Sequence, residues 1–535
     1  MSRYPHTKLF INHANTVVIS GPHLHVLDTI TGSVLHSTTT FPDAEKDALL
    51  KAGPVRCAAV NSSGNLMACA GDDKQLKVWD IGQLKLLSSR ELPKKPTSIH
   101  FTKDDNILVS DKFGDVFKYS LQPSDDLALP QQPKRDALTS HENPSGGQLI
   151  LGHASLLTAA LLTREEQFIV TADRDEHIRI SWYPEGYTIE SYCLGHEKFV
   201  SAIHVPPFSP ELLISGGGDP MLKFWDWMTG TLKRDVEVFT VVQPFIKAKV
   251  PKRRKKGDGN DGGADTSEKS KGKRGRRKTK GKEKQLPVEE DDTESHRPME
   301  STVEMTSSTA TAEPSETVFV VHKINSFESN GQCYVVFSAV GATAIFIYVD
   351  TENDMEPNIR HFDFGSPVID FTLTKDGSIW VLLDVNFVGE SDASNEDPIT
   401  TPNIIRVIQW SSTQFIERSS SNSPLLGTLN SACICAATPE ELKVLDLYSD
   451  LHSLPKNTDE EADAGREGSE MQVDIPEASS TSGDPSETVN KKILGRLKHK
   501  RALERLQQEP EEGQHQVAVP ESKRVKADDI DAPVN

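Results

Sequence analysis

The sequence repeats itself. Asp73-Lys74-Gln75-Leu76-Lys77-Val78-Trp79-Asp80 can be laid over Asp175-Glu176-His177-Ile178-Arg179-Ile180-Ser181-Trp182, and over Asp219-Pro220-Met221-Leu222-Lys223-Phe224-Trp225-Asp226. The shared pattern is Asp, two residues, Leu or Ile, Lys or Arg, an apolar residue, then Trp or Ser. A weaker copy ends at Val116-Phe117-Lys118-Tyr119. Equivalent positions 79, 119, 181 and 225 are separated by 40, 62 and 44 residues, and the long step holds a polar, Pro-rich stretch near 121–147. Around the copies lie short runs rich in β-branched and aromatic residues, such as 17–20, 55–60, 66–71 and 107–111, divided by turn residues. No amphipathic helix alternates with them, which argues against a parallel α/β domain. Strand-only units recurring every 40–45 residues predict an all-β propeller.

Gly152-His153 and Gly195-His196 each precede a unit and complete the WD-repeat signature. In such a blade a buried His, a Ser or Thr on the second strand, the turn Asp and the Trp can share one hydrogen-bonded network. His196, Ser215, Asp219 and Trp225 have that spacing. His153, Thr171 and Asp175 are the matching set, with Ser181 where Trp would stand. A His and an Asp so placed also resemble a catalytic pair, and a hydrolase using His153 and Asp175 is the enzyme reading. Recurrence of the arrangement from unit to unit favours a structural role.

Strand-like runs resume at 317–324, 332–341, 344–350, 368–374, 378–384 and 404–410, and end with 432–437 and 442–447. Units fall near 1–36, 54–90, 96–122, 152–191, 196–247, 316–366, 367–415 and 429–450. The expectation is a seven-bladed WD-repeat β-propeller in which the first and last stretches share a blade and close the ring, with eight blades as the alternative. Residues 1–250 form its first part and 316–450 the remainder. Residues 251–315 read as a disordered insertion, 385–402 as a polar loop, and 451–535 as a mostly disordered acidic tail. A short helix is expected at 489–507, where Ile493, Leu494, Leu497, Leu503 and Leu506 alternate with basic residues.

Charge is segregated. The 535 residues carry a formal net charge of -20, which excludes a uniformly basic nucleic-acid binder. Yet 247–284 holds 17 Lys or Arg against 5 Asp or Glu. Lys252, Arg253, Arg254, Lys255 and Lys256 form one cluster; Lys273, Arg274, Arg276, Arg277 and Lys278 form another. Two such clusters suit nuclear import or contact with an RNA backbone, or they form a merely solvated loop. Residues 459–487 hold 10 acidic side chains against one basic. No run of 18 apolar residues predicts a membrane span. The six cysteines read as buried thiols, with Cys433 and Cys435 on one face of a strand. No phosphate-cradling Gly-rich loop, nucleophile elbow or zinc-ligand set is present. No cofactor or metal is expected in this chain.

The run Thr171-Ala172-Asp173-Arg174-Asp175-Glu176-His177-Ile178-Arg179-Ile180-Ser181 continues through Tyr183-Pro184 to Ile189-Glu190-Ser191-Tyr192-Cys193-Leu194-Gly195-His196. Phe199-Val200-Ser201, Ser215-Gly216-Gly217-Gly218-Asp219 and Trp225-Asp226-Trp227 follow. This block resembles the non-catalytic WD-repeat subunit of the eukaryotic tRNA (guanine-N7)-methyltransferase, in its fungal form. The resemblance implies a nuclear scaffold in a heterodimer with a separate catalytic subunit. That subunit would bind S-adenosylmethionine and methylate a guanine in the tRNA variable loop, so tRNA is met mainly through the complex. It also implies that Asp173, Arg174, Glu176, His177, Arg179 and Lys223 lie at or near the partner-facing side, Arg174 first and Lys223 second, because a guanidinium suits interface carboxylates. The competing class is a generic nuclear adaptor of a chromatin or ubiquitin-ligase complex.

Overall fold

A computed structural model describes residues 2–122, 143, 145–248, 317–350, 358–387, 403–411, 413–419 and 423–456. These form seven four-stranded antiparallel sheets, the blades of a β-propeller. Blade one holds β1 (His6–Ile11), β2 (Asn15–Ser20), β3 (His23–Asp28) and β4 (Val34–Ser37). Helix α1 (Asp43–Ala52) leads to blade two, with β5 (Val55–Val60), β6 (Leu66–Gly71), β7 (Gln75–Asp80) and β8 (Lys85–Glu91). Blade three comprises β9 (Pro96–Phe101), β10 (Ile107–Asp111), β11 (Asp115–Tyr119) and β12 (Gln148–Gly152). Blade four comprises β13 (Leu157–Leu162), β14 (Phe168–Asp173), β15 (Ile178–Trp182) and β16 (Ile189–Cys193). Blade five comprises β17 (Val200–His204), β18 (Leu212–Gly217), β19 (Met221–Asp226) and β20 (Thr231–Glu237), followed by α2 (Phe239–Val242). Blade six holds β21 (Val321–Ser329), β22 (Gln332–Ala339), β23 (Ala344–Val349) and β24 (Ile359–Asp363); blade seven holds β25 (Val368–Leu373), β26 (Ser378–Leu383), β27 (Ile405–Trp410) and β28 (Phe415–Arg418). Helices α3 (Pro424–Leu429), α4 (Pro439–Leu445) and α5 (Asp450–Ser453) complete the described chain.

The repeated sequence pattern is the third strand of a blade: β7, β15 and β19. Leu76, Ile178 and Leu222 are fully buried between blades, as are Val78, Ile180 and Phe224. First strands of neighbouring blades pack against one another from β5 through β9, β13, β17, β21 and β25 to β1. Each pairs with its second strand through a register shift near its start, at Thr7, Arg56, Thr97, Thr158, Ser201, His322 and Ile369. Such a bulge bends the strand and turns the extra side chain out of the ladder. Hydroxyls there reach the next blade: Thr158 Oγ1 donates to the Val200 carbonyl and Ser201 Oγ to the Val321 carbonyl, both at 2.5 Å.

The ring closes differently from expectation. Blade one and blade seven each supply all four of their own strands, so the first and last stretches share no blade. Residues 432–437 are not a strand, and Cys433 and Cys435 lie in the α3–α4 connection. The run 442–447 begins within α4. Thr438 accepts from the Glu441 N–H while Glu441 accepts from the Thr438 N–H, and Pro439 stands at the first turn; this capping box sets a helix there against the strand-like alternation. Closure instead rests on packing of Leu9, Val18 and Leu27 with Leu382, Ile405, Val407 and α3. Thr372 Oγ1 donates to the Leu9 carbonyl at 2.8 Å. Asn430 exchanges two hydrogen bonds with the Ile405 backbone, and Arg3 bridges Ala436. Blade three also differs: its outer strand β12 comes from beyond the 121–147 stretch and was not in the 96–122 unit.

The segment after α3 crosses one end of the ring. Arg56 donates to the Val444 and Leu445 carbonyls. Tyr448 donates to Asp384 at 2.8 Å. Leu451 and Leu454 bury against Phe199, Val320 and Val340.

Two imidazoles hold α3 and the segment after it to blade one. His6 Nε2 donates to the Leu429 carbonyl while Nδ1 accepts from Ser20 Oγ at 2.7 Å. His25 contacts Ser37 Oγ and the Cys435 thiol. Burial lowers both to about 4. In the unfolded chain each titrates near 6.5, so between those values the unfolded state binds protons that the folded state does not. Stability is therefore full above pH 7 and falls as the pH drops through 6.5 towards 4. Lowering the pH to 5.5 is expected to cost about 1 kcal/mol per imidazole. A thermal melt at pH 7.5 and 5.5 checks it, and His6→Gln with His25→Gln should shrink the difference without abolishing it, because burial also lowers His100 and His204 to about 4.

Candidate partner interface

The loops joining third-strand hairpins and successive blades gather two His-centred networks in blades four and five. In blade five, His196 Nδ1–H meets Asp219 Oδ2 at 2.5 Å, and His196 Nε2 accepts from Ser215 Oγ at 2.7 Å. Trp225 Nε1 donates to Ser215 Oγ at 2.8 Å. The other Asp219 oxygen accepts from the Glu197 and Lys198 N–H groups. Every polar atom of the four side chains has a partner, and His196 and Asp219 are buried. This network fixes a loop; it offers no exposed nucleophile or base.

Blade four departs from the expected set. His153 Nδ1 meets Asp173 Oδ2 at 3.0 Å and Nε2 meets Thr171 Oγ1 at 2.8 Å, so the carboxylate is Asp173 and not Asp175. The reason lies at the end of the second strand. Asp173 pairs with Leu157 where blade five pairs Gly217 with Val200. A Cβ at Gly217 would sit 1.9 Å from the Phe199 carbonyl oxygen, so blade five draws its carboxylate from two residues further on. Blade four has room and uses the nearer aspartate. Burial raises the Asp173 carboxyl, but bonds from His153 and the His177 N–H outweigh it and leave the group below its usual range. Burial lowers His153. Without a tryptophan the set is incomplete, and Ser181 Oγ is enclosed without a partner. The contrast is testable: Asp173→Asn should destabilise the protein by about 1–3 kcal/mol and Asp175→Asn by less than about 0.5, read by chemical denaturation.

The charged block divides in the same way. Arg179 is buried, its Nη1 donating to the Gly152 carbonyl at 3.1 Å. Lys223 is 7 % exposed and pairs with Asp235 at 3.0 Å. Lys77, its counterpart in blade two, pairs with Asp73. Lys77 and Lys223 thus tie their strands within a blade, whereas Arg179 reaches across to the end of β12 in blade three; Asp173, Arg179 and Lys223 are all buried in the free chain. Arg174, Asp175 and Glu176 are half-buried and His177 is exposed. Glu176 pairs with Lys456 at 2.5 Å, and Asp175 lies 3.7 Å from the same ammonium. The basic clusters at 252–278 and the 489–507 segment lie outside the described residues.

One feature escaped sequence reasoning. The end of β15, the turn after it, β16 and the residue beyond it expose Trp182, Tyr187, Ile189, Tyr192 and Leu194; Tyr187 is 81 % exposed and Leu194 61 %. Trp182 is fixed by a bond to Glu190 and by its ring 4.6 Å from Phe168. Anchored aromatics beside an unpaired strand edge are what a protein partner covers. Apolar residues at 182, 187, 189, 192 and 194 were the available signal. It was hidden because the outer strand of a propeller alternates like any other.

Seven four-stranded blades and the sealed His–Asp networks of blades four and five define a propeller of the WD-repeat class. The family model described as "tRNA methyltransferase TRM82 WD40 domain" matches residues 54–146 and 125–408, and the chain belongs to that family. It is 37 % identical over 217 residues to the tRNA (guanine-N(7)-)-methyltransferase non-catalytic subunit TRM82 of Coccidioides immitis, covering 32 % of this chain and 42 % of that one. It is 39 % identical over 227 residues to the protein of that name in Aspergillus fumigatus, covering 33 % and 45 %. For Vanderwaltozyma polyspora the values are 36 % over 195 residues, covering 35 % and 40 %. The chain thus spans under half the length of these relatives.

Proposed function

We propose that this chain is the non-catalytic scaffold of a tRNA (guanine-N7)-methyltransferase. The family match, running through the propeller and the 171–230 block, carries the proposal. The catalytic subunit, which would supply S-adenosylmethionine binding and methyl transfer, docks on the rim of blade four. Trp182, Tyr187, Tyr192 and Leu194 provide the desolvated centre of that contact, and Arg174 and His177 a charged margin. A rigid ring presenting such a rim stabilises the active conformation of its partner without taking part in bond-making. In this reading tRNA is met mainly through the complex, and the basic clusters at 252–278 serve nuclear import or auxiliary RNA contact.

Reconstitution tests this. The full chain is mixed with a purified S-adenosylmethionine-dependent tRNA (guanine-N7)-methyltransferase subunit from the same source, and N7-methylguanosine formation is followed. A stoichiometric complex with activity well above the lone subunit is expected. Co-purification of several large-complex subunits and no methyltransferase would favour the adaptor class instead.

A further inference from the structure

Lys456 reaches the charged turn of blade four from far along the chain. Its ammonium lies 2.5 Å from Glu176 and 3.7 Å from Asp175. The two carboxylates follow Arg174 directly in sequence. Among the described residues Arg174 makes no ion pair, and its enclosed Nε has no hydrogen-bond partner. The turn is fixed from within: the Arg174 N–H donates to the Leu156 carbonyl, and Asp173 accepts from the Asp175 and His177 N–H groups. From outside, Lys456 is delivered by a segment that is itself anchored, through buried Leu451 and Leu454 and the Tyr448–Asp384 bond.

We propose that Lys456 is a positioning residue. It occupies Asp175 and Glu176 so that Arg174 keeps its guanidinium for a carboxylate of the partner protein. A guanidinium beside two carboxylates in its own turn would otherwise fold back on them, because paired charges in a half-buried site lower each other's energy. The rigid ammonium from the crossing segment removes that option. The docking step rests on the scaffold reading above; the competition within the turn does not.

Two readouts separate them. Arg174 modification by phenylglyoxal, followed by mass spectrometry on the free full-length chain, reports whether the guanidinium is engaged. Affinity for the purified catalytic subunit reports the consequence. Lys456→Ala should slow Arg174 labelling at least threefold and weaken association five- to tenfold, while Lys456→Arg leaves both as in the wild type. Adding Asp175→Asn and Glu176→Gln to Lys456→Ala should restore the labelling, since no carboxylates remain to capture Arg174. That restoration distinguishes competition from simple loosening of the segment. Unchanged or faster labelling in Lys456→Ala, or failure of the triple variant to restore it, overturns the proposal. If the wild-type chain does not bind the catalytic subunit, the scaffold reading falls, and the labelling still decides the role of Lys456.

Discussion

Asp219→Ala is expected to lower the unfolding free energy by about 3 kcal/mol, the cost of leaving several donors of one network without their acceptor. Asp219 takes the proton-bearing side of His196 through one oxygen and the Glu197 and Lys198 N–H groups through the other. Alanine leaves the buried His196 donor without a partner and frees the part-buried Glu197 and Lys198 N–H groups, and the imidazole must then reorient against Ser215 and Trp225. An unsatisfied buried donor costs about 1–3 kcal/mol, and neighbours in one network do not add simply. Asp219→Asn keeps one acceptor oxygen and should lose roughly half as much. Urea unfolding of the two variants beside Asp175→Asn is the measurement. A loss below about 1 kcal/mol for the alanine variant would show that the network is not a stability element.

Tyr187→Asp combined with Leu194→Asp is expected to weaken association with the catalytic subunit by at least 100-fold while leaving the melting temperature within a few degrees. Both side chains are more than half exposed, so the free chain gives up little by losing them. At the centre of an interface the change removes apolar area and buries a carboxylate, which costs several kcal/mol in affinity. Isothermal titration with the purified subunit gives the number. Wild-type affinity in the double variant would move the docking surface away from blade four.

Much of the fold could be read from residues alone. The Asp-x-x-Leu-Lys-x-Trp pattern marked three third strands, and the Gly-His pairs marked where blades begin. The His196, Ser215, Asp219 and Trp225 spacing is met by hydrogen bonds in the structure. The errors share a cause. Aligning the repeats without gaps sets Asp175 on Asp219, but strand register sets Asp173 on Gly217, and only the crowding at Gly217 explains why. Alternation at 442–447 looked like a strand because the cap chemistry of Thr438 and Glu441 just upstream was given less weight than the pattern. Strand β12 was missed because residues 120–147 separate it from β11. Lys223 reads as solvated until its partner Asp235 on the next strand is known, and Arg179 until the Gly152 carbonyl of the neighbouring blade is known.

That blades one and seven are each complete has a consequence for how the chain is made. Where a propeller closes by sharing a sheet, the first strand to leave the ribosome waits unpaired for the last. Here β1 finds β2, β3 and β4 within 37 residues, so no sheet edge is held open while the remaining blades are synthesised. Domains built this way can assemble in order of synthesis. The crossing segment 439–456 follows the seventh blade and joins side chains of blades already formed. Its arrival would then report, during synthesis, that the ring is whole.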